Sequence, residues 1–244
     1  MSLHLIELPL DLAALNRWAG ARGIGRQGFD EGLALHHLLG EVFGPAVLQP
    51  FRLMVAPRAR SGTLYGYADR GADGLRSAAA PVIGPSEAGV IRLDRLRSVP
   101  RPAATWSEGM RLGFDVRLRP VVRLASAIGG EGAGFAKGAE LDAFLAETLR
   151  LGTARPRETV YLDWLSARLA GVAELEPETS RMASFRRLRS RRGGKRVEGP
   201  EITVHGTLRI ADPAGFADLL ARGVGRHRAY GYGMLLLRPP QRRN

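Results

Sequence analysis

The sequence predicts an α+β protein with two tandem ferredoxin-like (RRM-like) domains, each built on an antiparallel sheet. Each half of the chain can be arranged as β-α-β-β-α-β, which is the ferredoxin-like order. Apolar residues repeat with strand and helix periods in the corresponding segments. The length of 244 residues, of which 45% are hydrophobic, suffices for two domains of about 120 residues, each with its own core. We expect the N-terminal domain at 1–119 and the C-terminal domain at 120–244.

The N-terminal half begins with an apolar strand at 3–8, and Asp11 follows at the start of a first helix. After a loop at 19–28, Asp30 caps a second helix that runs to about Phe43. The apolar residues of this helix fall at i, i+3, i+4 and i+7, the spacing of one helix face. They are Leu35, Leu38, Leu39 and Val42. The other N-terminal elements are expected in the order strand, strand, helix, strand, at 51–55, 62–67, 70–79 and 90–97.

A strand-like segment at 110–122 shows the clearest two-residue alternation in the chain, which is typical of a half-buried strand. Helices are expected at 139–149 and 159–170, and two paired strands at 181–188 and 201–210. Asp212-Pro213 begins the next helix, because Asp accepts hydrogen bonds from N-terminal N–H groups and Pro tolerates the first helical position. Phe216, Leu219 and Leu220 form the apolar stripe of this helix, and a strand at 234–237 completes the domain.

The charge of the chain favours a polyanionic partner. Lys and Arg number 36 against 24 Asp and Glu, and the formal charge of +12 is typical of proteins that bind nucleic acid or an anionic surface. The absence of cysteine excludes disulfides, thiolate nucleophiles and cysteine-based zinc sites. The N-terminus lacks the features of a signal peptide, and no apolar run has the length of a membrane span. We therefore expect a cytoplasmic protein that makes no contact with a membrane.

Residues 222–233, here called the glycine-rich loop, hold four glycines, three arginines, one histidine and two tyrosines. Glycine allows close backbone approach, arginine forms a bidentate fork to phosphate, and tyrosine offers a flat face to a base. We interpret the loop as a segment that grips RNA; the alternative is an ordinary turn between a helix and a strand. The candidate RNA-binding residues of the loop are Arg222, Gly225, Arg226, His227, Arg228 and Tyr232.

A second basic segment, here called the basic hairpin, covers residues 186–196, of which seven of eleven are basic. Gly193-Gly194 is a hairpin-turn signal, and a strand is expected on each side of it. A basic two-stranded ribbon can lie along the phosphates of a duplex, whereas the alternative is a solvated charged loop. Its candidate RNA-binding residues are Arg186, Arg187, Arg189, Arg191, Arg192, Lys195 and Arg196.

Two adjacent histidines lie on the helix that follows Asp30. On a helical wheel, His36 is about 100° from the centre of the apolar stripe and His37 about 200° away. His36 is therefore expected at the edge of the buried face, where an imidazole can reach a groove and transfer protons near neutral pH. The alternative is a boundary histidine that only hydrogen-bonds the backbone. No metal-ligand motif or nucleophile elbow is present, so metal-free acid–base chemistry without a cofactor is the catalysis expected.

Three segments carry a family resemblance: residues 30–39, residues 111–123 and the run from Gly206 to Leu236. Together they resemble the CRISPR-associated endoribonucleases that process precursor CRISPR RNA, and most closely the CasE branch of type I-E systems, with type IV relatives as the alternative. The resemblance implies two ferredoxin-like domains that bind the CRISPR repeat stem-loop and cleave it at the 3′ base of the hairpin without metal. The product then stays bound as the 3′ handle of the guide RNA, within a larger surveillance complex.

The resemblance also implies catalytic residues. The catalytic histidine of the family corresponds to His36, whereas the tyrosine often found three residues earlier corresponds to Leu33. His37, Tyr230, Tyr232 or an arginine could replace that tyrosine, and of these we expect His37 and Tyr230 at the catalytic site. Two other functions stay open: an RNA-hairpin-binding subunit without catalysis, and a general RNA-associated structural protein. When free, the protein is expected to be a monomer.

Overall fold

The computed structural model describes residues 2–24, 28–129, 134–192 and 195–241, with the side chains of 189–192 and 195–197 left out of the description. It contains two antiparallel sheets, each with helices packed against it, and each half follows the β-α-β-β-α-β order. The predicted α+β class and the two ferredoxin-like domains are thus confirmed. No helix in these ranges is long and apolar enough to cross a bilayer.

The N-terminal sheet has the strand order β2-β3-β1-β4, in which every pair of neighbours is antiparallel. Two helices connect β1 to β2, and a third follows β3. The strands are β1 (His4–Asp11), β2 (Phe51–Met54), β3 (Ser61–Ala68) and β4 (Arg97–Pro100), and the helices are α1 (Leu12–Ala21), α2 (Glu31–Phe43), α3 (Ala72–Ala79) and the short α4 (Pro85–Ala88).

Local sequence signals account for most of these elements. The carboxylate of Asp30 accepts a hydrogen bond from the Leu33 amide at 3.0 Å, so it caps α2 as predicted. All four residues of the predicted apolar stripe of α2 are buried in the N-terminal core. The continuous strand expected at 90–97 is wrong, because residues 93–95 form a 3₁₀ turn that separates an isolated bridge of Ile91 to β1 from the strand that begins at Arg97.

The C-terminal sheet has the order β11-β5-β10-β8, and a further strand, β9, pairs with the other end of β10. Helices α5 and α6 lie between β5 and β8 in the chain, and α7 connects β10 to β11. The elements are β5 (Arg111–Leu118), α5 (Ala143–Leu151), α6 (Arg157–Leu169), β8 (Ala173–Leu175), β9 (Arg181–Arg192), β10 (Lys195–Ile210), α7 (Pro213–Arg222) and β11 (Leu235–Arg238).

Strand pairing corrects the predicted division of the chain at residue 119. Strand β5 lies before that boundary, yet it hydrogen-bonds to β10 on one side and β11 on the other, as the first strand of the C-terminal sheet. Its buried residues contribute to the C-terminal core. The change from one sheet to the other therefore lies between β4 and β5, at residues 101–110.

A small third sheet lies outside the two main ones. Strands β6 (Val121–Arg123) and β7 (Glu140–Asp142) form it, and Leu124, Leu141 and Ala146 make its buried apolar cluster. This two-stranded sheet lies just before α5, where a continuous helix from 139 was expected. It presents Glu140 toward the glycine-rich loop.

The two domains contact each other through apolar and polar groups. Leu3, just before β1, and Tyr67 of β3 belong to the core cluster of the C-terminal domain. The Tyr67 hydroxyl donates a hydrogen bond to the backbone carbonyl of Leu235 in β11, at 3.1 Å. The buried Arg52 of β2 forms an ion pair with Asp115 of β5, at 3.0 Å. These contacts fix α2 relative to the glycine-rich loop.

Candidate functional site

Helix α2 places His36 where the helical wheel predicts it. The His36 side chain is half-buried and His37 is exposed, while Leu35 and Leu38 on either side of the pair are buried. The ring centroids of the two histidines are 5.4 Å apart in an edge-on arrangement. A half-buried imidazole at the rim of a helix keeps one face packed and the other open to a substrate.

The glycine-rich loop delivers Tyr230 to His36. Their ring centroids are 5.0 Å apart, although the two residues are far apart in the sequence. Tyr230 ends a 3₁₀ turn that begins at Arg228, and this turn packs directly on α2. The packing depends on Gly32, because a Cβ at this position would lie only 2.5 Å from the Tyr230 carbonyl oxygen. The structure thus brings together two of the three predicted catalytic side chains, and His37 stands beside them.

Backbone hydrogen bonds hold the two ends of the loop together. The Val224 amide donates to the Gly233 carbonyl at 2.8 Å, and the Gly233 amide donates to the Arg117 carbonyl of β5, also at 2.8 Å. Gly233 has φ +77°, and a Cβ there would lie 2.1 Å from the Val224 carbonyl oxygen. Only glycine fits this conformation and this contact, so the glycine content of the loop serves its closure.

A pocket of about 250 Å³ opens beside the two histidines. His36 and His37 form one wall, and Gln49 and Phe51 contribute to another. A volume of this size is below the usual range for a drug-sized ligand. His36 and His37 are therefore lining residues of a small pocket.

A charged network behind the site links α2 to the C-terminal sheet. Arg117 forms an ion pair with Glu201 of β10 at 2.7 Å and approaches Glu31 at the start of α2 at 3.7 Å. Burial raises the pKa of Glu31 despite the nearby Arg117. Burial also acts to raise the pKa of Glu201, but the hydrogen bond and charge of Arg117 outweigh it and hold that pKa below its ordinary value. Arg117 and Glu201 therefore stay ionised and fix the helix that carries His36.

Tyr232 belongs to this network, and the prediction that it contacts RNA is wrong. Only 4% of the residue is exposed, and its hydroxyl donates a hydrogen bond to Glu201 at 2.6 Å. The Arg117 guanidinium lies over its ring at 4.9 Å, and burial raises the pKa of the phenol. No face of this ring is open to a base, so Tyr232 has a structural role.

The arginines and histidine of the glycine-rich loop already have protein partners. Arg226 and His227 both bind the carboxylate of Glu140, each at 2.7 Å. Arg228 donates to the Arg222 carbonyl, and both side chains are exposed. Gly225 packs on the Trp164 ring, where a Cβ would lie 2.8 Å from the nearest ring carbon, so it acts as a spacer. Sequence reasoning missed Glu140, because nothing local marks a partner that is 87 residues away.

The basic hairpin is present as the paired ends of β9 and β10, with Lys195 opposite Arg192. Arg186 forms an ion pair with Glu201, and Arg187 approaches Glu198 at 3.8 Å; both arginine side chains are more than half exposed. The turn at 193–194 lies outside the described residues. So do the side chains of the other candidates, which are Arg189, Arg191, Arg192, Lys195 and Arg196.

Metal ligands would require several His, Asp or Glu side chains that converge on one point. In the described ranges, no group of three or more such side chains could hold a metal ion. The rings of His37 and Tyr230 both contact His36, and both side chains can transfer protons.

Comparison with known proteins connects this site to one family. A family model described as CRISPR associated protein matches residues 3–239. No curated protein matches the sequence. Among solved structures, Thermus thermophilus Cse3 bound to an RNA representing a pre-cleavage complex is 21% identical, with a TM-score of 0.65 over 98% of this chain and 100% of that chain.

Two further structures have the same fold. Cas6e from Escherichia coli K-12 is 18% identical, with a TM-score of 0.57 over 97% of this chain and 99% of that chain. A chain of a CRISPR RNA-guided surveillance complex is 17% identical, with a TM-score of 0.52 over 96% of this chain and 98% of that chain. At these identities the similarity establishes the fold that these proteins share.

Proposed function

The chain belongs to the family of CRISPR-associated proteins, and we propose that it is an endoribonuclease that processes precursor CRISPR RNA. The proposed substrate is the CRISPR repeat stem-loop, cleaved at the 3′ base of its hairpin. The observation that carries the proposal is the contact between Tyr230 and His36, with ring centroids 5.0 Å apart, where His36 also lines a pocket. The similarity to Cse3 and Cas6e, one of them bound to RNA, supports the same conclusion.

The chemistry follows from RNA itself. The ribose 2′-OH upstream of the scissile phosphate attacks the phosphorus in line, and the bond to the 5′ oxygen breaks. A base takes the proton of the 2′-OH and an acid gives a proton to the leaving oxygen. The products are a 2′,3′-cyclic phosphate and a 5′-OH. The attacking oxygen belongs to the substrate, so two proton-transfer groups suffice.

We assign one of these proton transfers to His36 and the other to Tyr230. The tyrosine expected three residues before His36 is absent, since Leu33 occupies that position. Tyr230 reaches His36 from the other domain and offers the phenol that Leu33 lacks. His37 is exposed on the side of α2 away from the core, and we assign it to substrate contact.

The basic hairpin supplies the grip on the stem. Its paired strands extend beyond the core of the C-terminal sheet, and Arg186 and Arg187 at its base have exposed side chains. Phosphate contacts supply most of the affinity for nucleic acid, and they position the duplex without reading its sequence. The scissile bond at the base of the stem would then lie near His36.

After cleavage the protein stays on the 3′ handle of the RNA and joins other subunits of a CRISPR surveillance complex. The match to a chain of such a complex supports this role. We place the protein in the cytoplasm, as a monomer when free, without a cofactor.

The proposal is tested by incubating the protein with the repeat RNA of its host in EDTA and analysing the product ends. We expect one cut at the 3′ base of the stem, with a 2′,3′-cyclic phosphate and a 5′-OH. His36→Ala should lose cleavage at least 100-fold, since a positioned acid or base contributes about 10²–10⁴-fold. It should bind the RNA as tightly as the wild type does.

His4→Ala serves as the matched control. His4 lies on β1 and hydrogen-bonds Ser2 at 2.8 Å, and its loss should not change the rate. Cleavage that stops in EDTA would contradict the proposed chemistry. Tight binding of the repeat without any cleavage would instead favour the RNA-hairpin-binding subunit, the alternative suggested by Leu33.

A further inference from the structure

Glu140 joins the small β6–β7 sheet to the glycine-rich loop through both of its carboxylate oxygens. Oε1 lies 2.7 Å from His227 Nε2, and Oε2 lies 2.7 Å from Arg226 Nε. His227 has φ +62°, a left-handed conformation that is uncommon outside glycine. The carboxylate thus joins two basic side chains of the loop in one cluster.

Arg119 adds a second guanidinium to this cluster, close enough for its charge to act on Glu140. Only 3% of the residue is exposed, and its guanidinium lies over Gly199 of β10, where a Cβ would be 2.5 Å from Nη2. Within the described residues, its buried Nε has no hydrogen-bond partner. The hydrogen bond from His227 lowers the pKa of Glu140, and the charges of Arg226 and Arg119 add to this effect. One carboxylate thus faces three basic side chains, so the cluster keeps an excess of positive charge.

We propose that Arg226, His227 and Arg119 form a phosphate-binding site for the RNA, which Glu140 occupies in the free protein and leaves when RNA binds. The inference rests on the proposed function. Arginine binds carboxylate and phosphate with the same donor fork, so one can replace the other in the same position. An RNA phosphodiester offers two charged oxygens, as a carboxylate does, and its negative charge would repel Glu140 from the site.

The ion pair between Arg226 and Glu140 is more exposed to solvent than the structural ion pairs nearby. The Arg226 side chain is 53% exposed and Glu140 is 28% exposed. By contrast, the Glu201 side chain is 6% exposed and is also hydrogen-bonded by Tyr232 and Arg186. It cannot leave its position without breaking these bonds. Strand β7, which carries Glu140, has three residues and pairs only with β6 in the described part of the chain. The Glu140 side chain can therefore swing out by rotating about its own bonds.

Glu140→Gln tests the proposal in a His36→Ala background, with an RNA stem-loop of unrelated sequence as the probe. Phosphates carry no sequence information, so such a stem-loop reports on phosphate binding without any contribution from recognition of the repeat. We expect about fivefold tighter binding at low salt, because the phosphate no longer has to displace a carboxylate that attracts Arg226 across about 4 Å in water. Without the Glu140 charge the site carries one more unit of net positive charge, so the dependence of log K on log salt should steepen by up to about 0.7–0.9, the slope for one neutralised phosphate.

Glu147→Gln is the matched control. Glu147 also pairs with an arginine at 2.7 Å, Arg155, and is similarly exposed at 24%, but it lies on α5 outside the cluster. Its loss should change neither the affinity nor the salt slope. Adding Arg226→Ala to Glu140→Gln should abolish the increase in affinity, because the phosphate ligand is then missing.

Weaker binding by Glu140→Gln, or an unchanged salt slope, would overturn the proposal. Glu140 would then have only the structural role of holding the loop in place. If this variant does not fold, the proposal is tested on the wild type by following the Nε–H signal of Arg226 in NMR spectra. It should shift when the stem-loop is added, and an unshifted signal would overturn the proposal. Failure of repeat cleavage, measured separately, would count against the proposed function and would leave the result for this site standing.

Discussion

Gly32 offers a sharp test of how the catalytic pair is assembled, because helix propensity and packing predict opposite effects of one methyl group. Gly32→Ala lies in the first turn of α2, where alanine favours the helix by about 0.5–1 kcal/mol. Its Cβ, however, would lie 2.5 Å from the Tyr230 carbonyl oxygen and 3.3 Å from Tyr230 Cβ. The clash is with backbone, so the 3₁₀ turn must retreat as a unit.

The size of this retreat sets the expected effect. Ordinary van der Waals separation requires a shift of roughly 0.5–1 Å, and it moves Tyr230 away from His36. A misplacement of about 1 Å at a catalytic group can cost about 100-fold in rate. We therefore expect Gly32→Ala to lower the single-turnover cleavage rate by at least tenfold. The melting temperature should change little, since the increase in helix stability offsets the strain.

Gly20→Ala controls for helix propensity. Gly20 is a helical glycine of α1, and a Cβ there meets nothing within 4 Å. This variant should be as stable as the wild type or more stable, with an unchanged cleavage rate. Wild-type cleavage by Gly32→Ala would refute the reasoning, because the contact between Tyr230 and His36 would then be unnecessary for the chemistry.

Three further predictions concern stability. Arg117→Met should cost about 3–5 kcal/mol in urea unfolding, because it leaves Glu201 buried without its main partner; Arg117→Met with Glu201→Gln should recover part of this loss. Tyr67→Phe should cost about 0.5–1.5 kcal/mol, because the Leu235 carbonyl loses its donor; an unchanged melting temperature would contradict this contact between domains. A hydrogen bond from the buried Trp18 lowers the pKa of Glu87 to about 2. The ionised Glu87 therefore contributes its full share to folding stability above pH 4.5, the ordinary pKa, and this share is lost as the pH falls through 2. Glu87→Gln should therefore cost about 1.5–3 kcal/mol at pH 7 and little at pH 2; an equal cost at both values would be inconsistent with this assignment.

Features that depend on local sequence could be predicted. The apolar stripe of α2 placed His36 at the edge of the buried face and His37 toward solvent, because a helix fixes the direction of each side chain from its neighbours. The Asp212 cap and the buried face of α7 follow from the same local rules. The basic hairpin could be predicted from two strands and a glycine turn.

Features that depend on distant partners could not be predicted. Tyr232 was predicted to contact RNA, but its hydroxyl donates a hydrogen bond to Glu201 of β10. Arg226 and His227 were predicted as RNA-binding residues, but in the structure both bind the carboxylate of Glu140. The alternation of β5 showed a strand but not which sheet it joins, since its partners β10 and β11 come later in the chain.

The central claim is that His36 and Tyr230 act on one phosphate in one step. A double-mutant cycle with His36→Ala and Tyr230→Phe, measured as single-turnover cleavage of the repeat RNA, tests it most directly. Groups that act as a unit give strongly non-additive losses, so the double variant should be no slower than the slower single variant. Additive losses in log rate, or full activity of Tyr230→Phe, would contradict the claim.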